Sequence, residues 1–307
     1  MNEETAAQRL ERYRNAWHDM PGVVDLQDRI PDAAICDLVW SGSDFAAQTC
    51  LRNPELLAEL HSSGVLDRAL LADEMAARLA ARLAGVDDEA GLEVCLRRFR
   101  QHEMLRIIWR DLTGSASLDE TFEDLSELAD VCIRQSLELL YGWATAKSGV
   151  PRADDGSAQH LIVIGMGKLG ARELNLSSDI DLIFCFPEHG HTDGRRQIEN
   201  QQFFTKLGRQ LINALSKQTG DGFVFRVDMR LRPFGDSGSL VATYDAMEHY
   251  YLTQARDWER YAMVKARAIT GEPAEVEALM SMLRAFVYRR YIDFGVIESI
   301  RDMKRMI

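Results

Sequence analysis

One change of texture along the chain limits its possible folds more than any other feature. Residues 1–147 read as helix throughout, with glycine and proline confined to short breaks such as Pro21-Gly22 and Gly64. Between 148 and 159 the run SGVPRADDGSAQ concentrates Gly, Pro, Ser and Asp and reads as a linker. Beyond it come short apolar runs bounded by glycines, the pattern of buried strands. Helices first and strands later predict an α+β protein. An all-helical domain is expected over 1–150, a small α/β domain over 151–272, and a further helical segment over 273–307. That segment ends in IESIRDMKRMI, inside a helical pattern, so the chain is expected to be a fragment.

In the helical part, LEVCLRRFRQHEMLRIIWRDL (92–112) sets Leu92, Cys95, Leu96, Phe99, Met104, Ile107, Ile108 and Leu112 near one stripe. Thr113-Gly114 ends that helix. Ser117, with Glu120 three residues on, predicts a capping box for the next, which runs to about Lys147. This periodicity indicates packing and carries no chemistry.

Charge and composition exclude several classes. Of 307 residues, 46% are hydrophobic and 27% charged, a globular mix in a chain long enough to need no disulfide or metal staple. No apolar run approaches the ~20 residues of a membrane span. The start, MNEETAAQRLERYRNAW, has acids where a signal peptide has bases. Cys36, Cys50, Cys95, Cys132 and Cys185 are scattered and odd in number, and read as reduced core residues of a cytoplasmic protein. The net charge of -12 argues against a nucleic-acid partner. Residues 223–267 nevertheless hold seven bases and six acids, which reads either as a pocket for a small anion or as surface ion pairs.

LIVIGMGKLG (161–170) predicts a buried strand feeding a tight turn, IDLIFCF (180–186) a second strand, and QFFTKLGRQLINAL (202–215) an amphipathic helix, followed by a turn at Gly220 and Gly222. FVFRVDMRL (223–231) alternates like a strand with one polar face. From Thr243 the pattern is helical again, through TYDAMEHYYLTQ and then RDWERYAMVKARAI.

Gly165-Met166-Gly167-Lys168-Leu169-Gly170 is a literal GxGxxG after a strand, with Glu188 near the end of the next strand. Against a dinucleotide site stand the nine residues separating Gly170 from Ile180, too few and too turn-rich for a crossover helix. Asp179 and Asp181 also fall in a run that should be apolar. In a strand, positions i and i+2 share a face, so Asp179 and Asp181 are expected side by side. Two such charges repel unless something neutralises them, and Mg²⁺ suits carboxylate oxygens. Asp228, flanked by Arg226, Arg230 and Arg232, supplies a third carboxylate, with guanidinium groups able to hold phosphate oxygens bidentately. Metal-phosphate chemistry is the expectation.

The glycine turn, SSDIDLIF and a later strand Asp resemble the polymerase-beta-type nucleotidyltransferase pattern. More narrowly, GMGKLGARELNLSSDIDLIF, FVFRVDMRLRPFGDSGSLV and RDWERYAMVKAR resemble the glutamate–ammonia-ligase adenylyltransferase family, from about residue 43 onward. That family joins two homologous nucleotidyltransferase halves, one removing AMP from a tyrosine of glutamine synthetase and one attaching it. DMRLRPFGDSG (228–238) is similar to the N-terminal, adenylyl-removing version; the C-terminal version typically has Thr after the Asp and lacks the Phe. One departure is Ala171, where many members have Gly. The resemblance implies a polymerase-beta-like α/β domain and phosphorolysis, with phosphate consumed and ADP released. It implies one or two Mg²⁺ ions on catalytic Asp179, Asp181 and Asp228. Gly167, Lys168, Ser178, Arg230 and Arg232 would lie against nucleotide or phosphate. Its implied partners are adenylylated glutamine synthetase, orthophosphate and ADP and, for the full-length enzyme, a nitrogen-regulatory PII protein; no nucleic acid or membrane is expected. The alternatives are adenylylation with ATP by a site of the same fold, or a catalytically weak regulatory module.

Other candidates are weaker. His189 and His191 have metal-ligand spacing in a polar segment that reads equally as a surface loop, and His160 and His249 lack obvious partners. Trp258 and Tyr261 suit adenine stacking, but a helix packing its aromatic face on the sheet is the expectation. Asp257, Glu259 and Arg260 are expected to form ion pairs supporting the arginine segment.

Overall fold

The structure, a computed structural model, describes residues 5–21, 23–288 and 301. It is mixed helix and sheet, as expected of an α+β chain. Two compact units are present: the described residues through Gly85 with Val94–Leu128, and Val86–Glu93 with the described residues from Ala129 onward.

The first unit is helical. It contains α1 (Ala6–His18), a 3-10 turn over Val23–Arg29, α2 (Ala33–Gly42), α3 (Asp44–Arg52), α4 (Pro54–Ser62) and α5 (Glu74–Leu83). The larger parts of α6 (Glu89–Leu112) and the beginning of α7 (Leu118–Ser148) also belong to it. The helix starts follow from local chemistry. Thr5 and Gln8 form a capping box, Asp32 and Ser43 cap α2 and α3, and Pro54 opens α4, where its missing N–H costs nothing. The stripe of α6 is buried at Leu92, Leu96, Phe99, Met104, Ile107 and Ile108, but so are Arg97, His102, Glu103, Arg106 and Arg110. These charges are tolerated because they are paired. Arg106 Nε donates to Glu103 Oε2 at 2.7 Å, and Arg106 also reaches Asp124 at 2.9 Å. The expected capping box at Ser117 is only half made. Ser117 Oγ accepts from Glu120 N, but the Glu120 carboxylate is drawn to Arg110 Nη2 at 2.6 Å instead.

The second unit is built on a small sheet. In chain order it contains β1 (Pro151–Arg152), β2 (Ile162–Gly165), the single turn α8 (Gly167–Gly170), β3 (Ile180–Phe186), β4 (His191–Thr192) and α9 (Asn200–Ser216). There follow β5 (Val227–Asp228), β6 (Val241–Thr243), α10 (Tyr244–Thr253), α11 (Asp257–Met263), β7 (Arg267–Ala268) and α12 (Pro273–Val287). Central β3 pairs antiparallel with β2 and parallel with β5 at its start and β6 at its end; β7 flanks β2. Side-chain alternation sorts the two faces. Ile162, Ile164, Ile183 and Cys185 pack with Met247, Tyr251, Met263, Leu279 and Phe286 of α10 to α12. The other face takes α9: Phe186 and Phe204 rings lie 4.7 Å apart, and a methyl on Gly208 would come within 2.9 Å of Phe184.

Several sequence expectations are corrected here. The 148–159 stretch is no free linker, because β1 pairs with β4 and Val150 N donates to Asp193 Oδ1 at 2.8 Å. The strand expected over 223–231 shrinks to Val227–Asp228. The Asp228 carboxylate accepts from Arg230 N at 2.8 Å, and this side-chain bond to the backbone two residues on folds the chain into a turn. The helix expected over 256–269 stops at Met263, and Arg267–Ala268 becomes an edge strand, continued by Thr270, whose Oγ1 accepts from Val163 N at 2.9 Å. The helical segment from 273 is present as α12; the residues after 288, including IESIRDMKRMI apart from Arg301, lie outside the described residues. None of the five cysteines is in a disulfide, four of them are buried, and burial pushes the Cys50 thiol up to about 12.

Candidate active site

The site lies where β2 ends and β3 begins. β2 runs into the glycine turn, whose register is set by Met166 N donating to Asp181 O at 2.9 Å. Two of the glycines are tightly enclosed. Gly167 has φ +54, and a methyl there would lie 3.0 Å from Asp181 Oδ2. At Gly170 a methyl would fall 1.9 Å from Lys265 O, so the turn and the chain entering β7 touch backbone to backbone. Ala171 has φ -82, an ordinary value, so the Gly-to-Ala departure there is harmless; the left-handed residue is Arg172 at φ +57.

Asp181 is on β3 and Asp179 immediately precedes it. The parallel register sets Asp181 opposite Asp228 of β5. Burial pushes the Asp181 carboxyl above its usual range, and repulsion from Asp228 and then Asp179 adds to this. Asp228 goes the other way, because the Arg230 guanidinium bonded to it favours the carboxylate. Arg230 Nε reaches Asp228 Oδ2 at 2.8 Å, while its own side chain is 76% exposed. Asp179 is paired with Arg226 Nε, and Arg226 Nη2 donates to Ser177 O at 2.8 Å, fixing the SSD segment. Lys168 Nζ donates to Ser178 Oγ at 3.3 Å, and Ser178 Oγ donates to Asn175 Oδ1 at 2.6 Å.

The sequence-predicted residues therefore assemble, though not all as expected. Arg230 meets Asp228 through a turn and not through strand alternation. Arg232 is only 12% exposed; it donates from Nη1 to Met229 O at 2.8 Å and to Asp236 at 3.3 Å, so it braces the turn. Phe234, at φ +60, meets Tyr250 edge-on with centroids 4.5 Å apart, and Tyr250 OH donates to Glu259 Oε1 at 2.5 Å. Glu259 thus supports the arginine turn through Tyr250. Arg260 instead pairs with Asp257 at 2.9 Å and reaches Phe286 O at 3.1 Å, tying α11 to α12. The expected packing of Trp258 and Tyr261 on the sheet is not found: they are 41% and 58% exposed, and Met263 takes the buried position. His191 is a strand residue of β4, His189 sets its ring edge-on to Phe186, and His160 lies 5.2 Å from Tyr141. Arg226 is the residue that sequence reasoning undervalued. Its place two residues before Asp228, at the site's edge, was the available signal.

Asp179, Asp181 and Asp228 are of the hard-oxygen type that divalent cations take, and Asp181 is half-buried and repelled by the other two. In the rotamers present, Asp179 and Asp228 face arginines, and among the described residues no group of three or more His, Cys, Asp or Glu is gathered as a metal cluster. No helix of the described residues is long and apolar enough to cross a membrane.

The class that the fold defines is an α+β protein with opposed carboxylates at the start of its central strand, beside a glycine turn and an arginine turn. Comparison with known proteins narrows the class. Residues 36–282 match the family model for glutamate-ammonia ligase adenylyltransferase, and the chain belongs to that family. Three relatives are each called bifunctional glutamine synthetase adenylyltransferase/adenylyl-removing enzyme. That of Nitrosococcus oceani is 55% identical over 88% of this chain and 28% of its own length. For Pseudomonas putida the figures are 51%, 88% and 28%, and for Shewanella loihica 46%, 99% and 31%. The chain thus spans about 30% of the length of these curated relatives.

Proposed function

We propose that this chain is the adenylyl-removing portion of such an enzyme and deadenylylates glutamine synthetase by phosphorolysis. The observation that carries this reading is the DMRLRPFGDSG segment, folded as a turn that sets Arg230 on Asp228 and Asp228 opposite Asp181. In the reaction an orthophosphate oxygen bonds to the adenylyl phosphorus, the bond from phosphorus to the tyrosyl oxygen breaks, and ADP and tyrosine leave. Orthophosphate is already anionic, and the phenol leaving group has a pKa of about 10, so no strong base or acid is required. The obstacle is bringing two phosphate groups together, and positioning with electrostatic stabilisation overcomes it. Mg²⁺ held by Asp179, Asp181 and Asp228 would offset that repulsion. Arg230, exposed beside Asp228, would hold phosphate oxygens; Gly167, Lys168 and Ser178 would lie against the nucleotide phosphates; Arg232 keeps the turn in shape.

The test is to incubate the chain with adenylylated glutamine synthetase and follow ADP. Release is expected only when phosphate and Mg²⁺ are both present. Incorporation of AMP from ATP into unmodified glutamine synthetase, without phosphorolysis, would reverse the proposed direction.

A further inference from the structure

Asp130 is a fully buried carboxylate on α7, and its sequence neighbours Ala129, Val131, Cys132 and Ile133 are buried as well. A buried carboxylate is costly unless charge and hydrogen bonds compensate it, so a position that needed only packing would be apolar like its neighbours. Asp130 accepts from Arg267 Nη1 at 2.8 Å and Nη2 at 3.0 Å, and from Arg172 Nη1 at 2.9 Å. The same Arg267 guanidinium also donates from Nε to Gly170 O at 3.2 Å and from Nη2 to Leu169 O at 3.0 Å. These carbonyls close the one-turn helix α8, which is too short to satisfy them internally. Arg172, next but one after Gly170, holds its left-handed φ of +57 while its guanidinium is tied to Asp130. At its opposite end the glycine turn meets Asp181, whose Oδ2 would lie 3.0 Å from a methyl at Gly167.

We propose that Asp130, acting through Arg267 and Arg172, is a positioning residue that fixes the glycine turn against Asp181 and thereby sets the affinity of the site for a nucleoside diphosphate. This rests on the reading of the turn as a contact of the nucleotide phosphates. Arginine is needed because one planar guanidinium serves both Asp130 oxygens and two carbonyls together; a lysine ammonium cannot span that arrangement.

The experiment measures ADP binding by calorimetry in the presence of Mg²⁺, well below each protein's melting temperature. The variants are Asp130→Asn, Arg267→Lys and, as a control on the same helix, Leu140→Ala, which removes a buried side chain with no part in the clamp. Asp130→Asn and Arg267→Lys are expected to weaken ADP binding by about ten-fold, the scale of one lost hydrogen bond. Leu140→Ala should lower the melting temperature and leave the ADP affinity at the wild-type value. If Asp130→Asn does not fold, Arg267→Lys, which keeps the buried charge balanced, decides alone. Wild-type affinity in the clamp variants that fold, or equal weakening by Leu140→Ala, overturns the assignment. A wild-type chain that binds no ADP removes the reading of the turn itself, and the role of Asp130 with it.

Discussion

Asp181 and Asp228 stand opposite each other in the parallel register of β3 and β5, and their carboxyls are pushed in opposite directions. Burial and then the repulsion of Asp228 and Asp179 raise Asp181, whereas the bound Arg230 lowers Asp228. A carboxyl raised in the folded state lowers stability above its folded pKa, and this loss disappears below its unfolded value. A lowered one contributes stability above its unfolded value and loses it as pH falls through the folded pKa. Asp181→Asn in metal-free buffer should therefore melt higher than wild type at pH 7. The difference should vanish as the pH approaches the ordinary aspartate range, about 4. Melting curves at both pH values check this; a lower melting temperature at pH 7 would show that Asp181 is not under repulsion.

Replacing Asp179 and Asp181 together by Asn should abolish most Mg²⁺ binding and phosphorolysis while the helical circular dichroism persists. Arg226 loses its Asp179 partner in that variant but keeps its bond to Ser177 O, so the segment should hold its place. Near-wild-type phosphorolysis by the double variant would remove the metal assignment.

The two arginines of the turn should separate by phenotype. Arg230 is exposed on Asp228, and Arg232 is mostly covered and holds Met229 O. Arg230→Lys keeps the charge and loses the bidentate fork, so it should lower the single-turnover rate by about 10- to 1000-fold with little change in melting temperature. Arg232→Lys should lower the melting temperature and change the rate per folded molecule far less. The reverse pattern would exchange their roles.

The contrast between these arginines also shows what the sequence could convey. Strand alternation set Asp179 beside Asp181 and put Asp228 on the polar face of its own segment, but the opposition of Asp181 and Asp228 is visible only in the register. Alternation could not show that Asp228 would bond Arg230 N and end its strand after two residues, because that choice is made by one side chain against the sheet's weak pull. The short strands β1, β4, β6 and β7 were missed for a related reason. Each has two or three residues, too few to display a period, and each exists only because a long partner or a second short strand supplies its hydrogen bonds. Asp130 was illegible for another reason: helical periodicity marks a buried position but does not reveal that arginines 42 and 137 residues downstream meet there. Trp258 and Tyr261 misled because aromatic content predicts burial on average, while the sheet face was already filled by Met247, Tyr251, Met263 and Phe286.

Gly167 and Gly170, three residues apart, should respond to alanine in different ways. At Gly170 the added methyl meets backbone, 1.9 Å from Lys265 O and 2.5 Å from Gly165 O, and neither can rotate away. Relief requires moving the chain entering β7 or the end of β2, so Gly170→Ala should cost about 3 kcal/mol or more, the upper range for overpacking. At Gly167 the obstacle is a side-chain oxygen, Asp181 Oδ2 at 3.0 Å, which can turn aside. The left-handed φ of +54 adds about 1 kcal/mol for a residue with a Cβ, so Gly167→Ala should fold with a modestly lower melting temperature. Its methyl would, however, displace the carboxylate around which the candidate site is built. Phosphorolysis and Mg²⁺ binding should fall together in Gly167→Ala, measured on protein whose folded fraction is verified by circular dichroism. If Gly167→Ala retains the wild-type rate and metal affinity, the glycine turn is a structural device alone, and the nucleotide phosphates bind elsewhere.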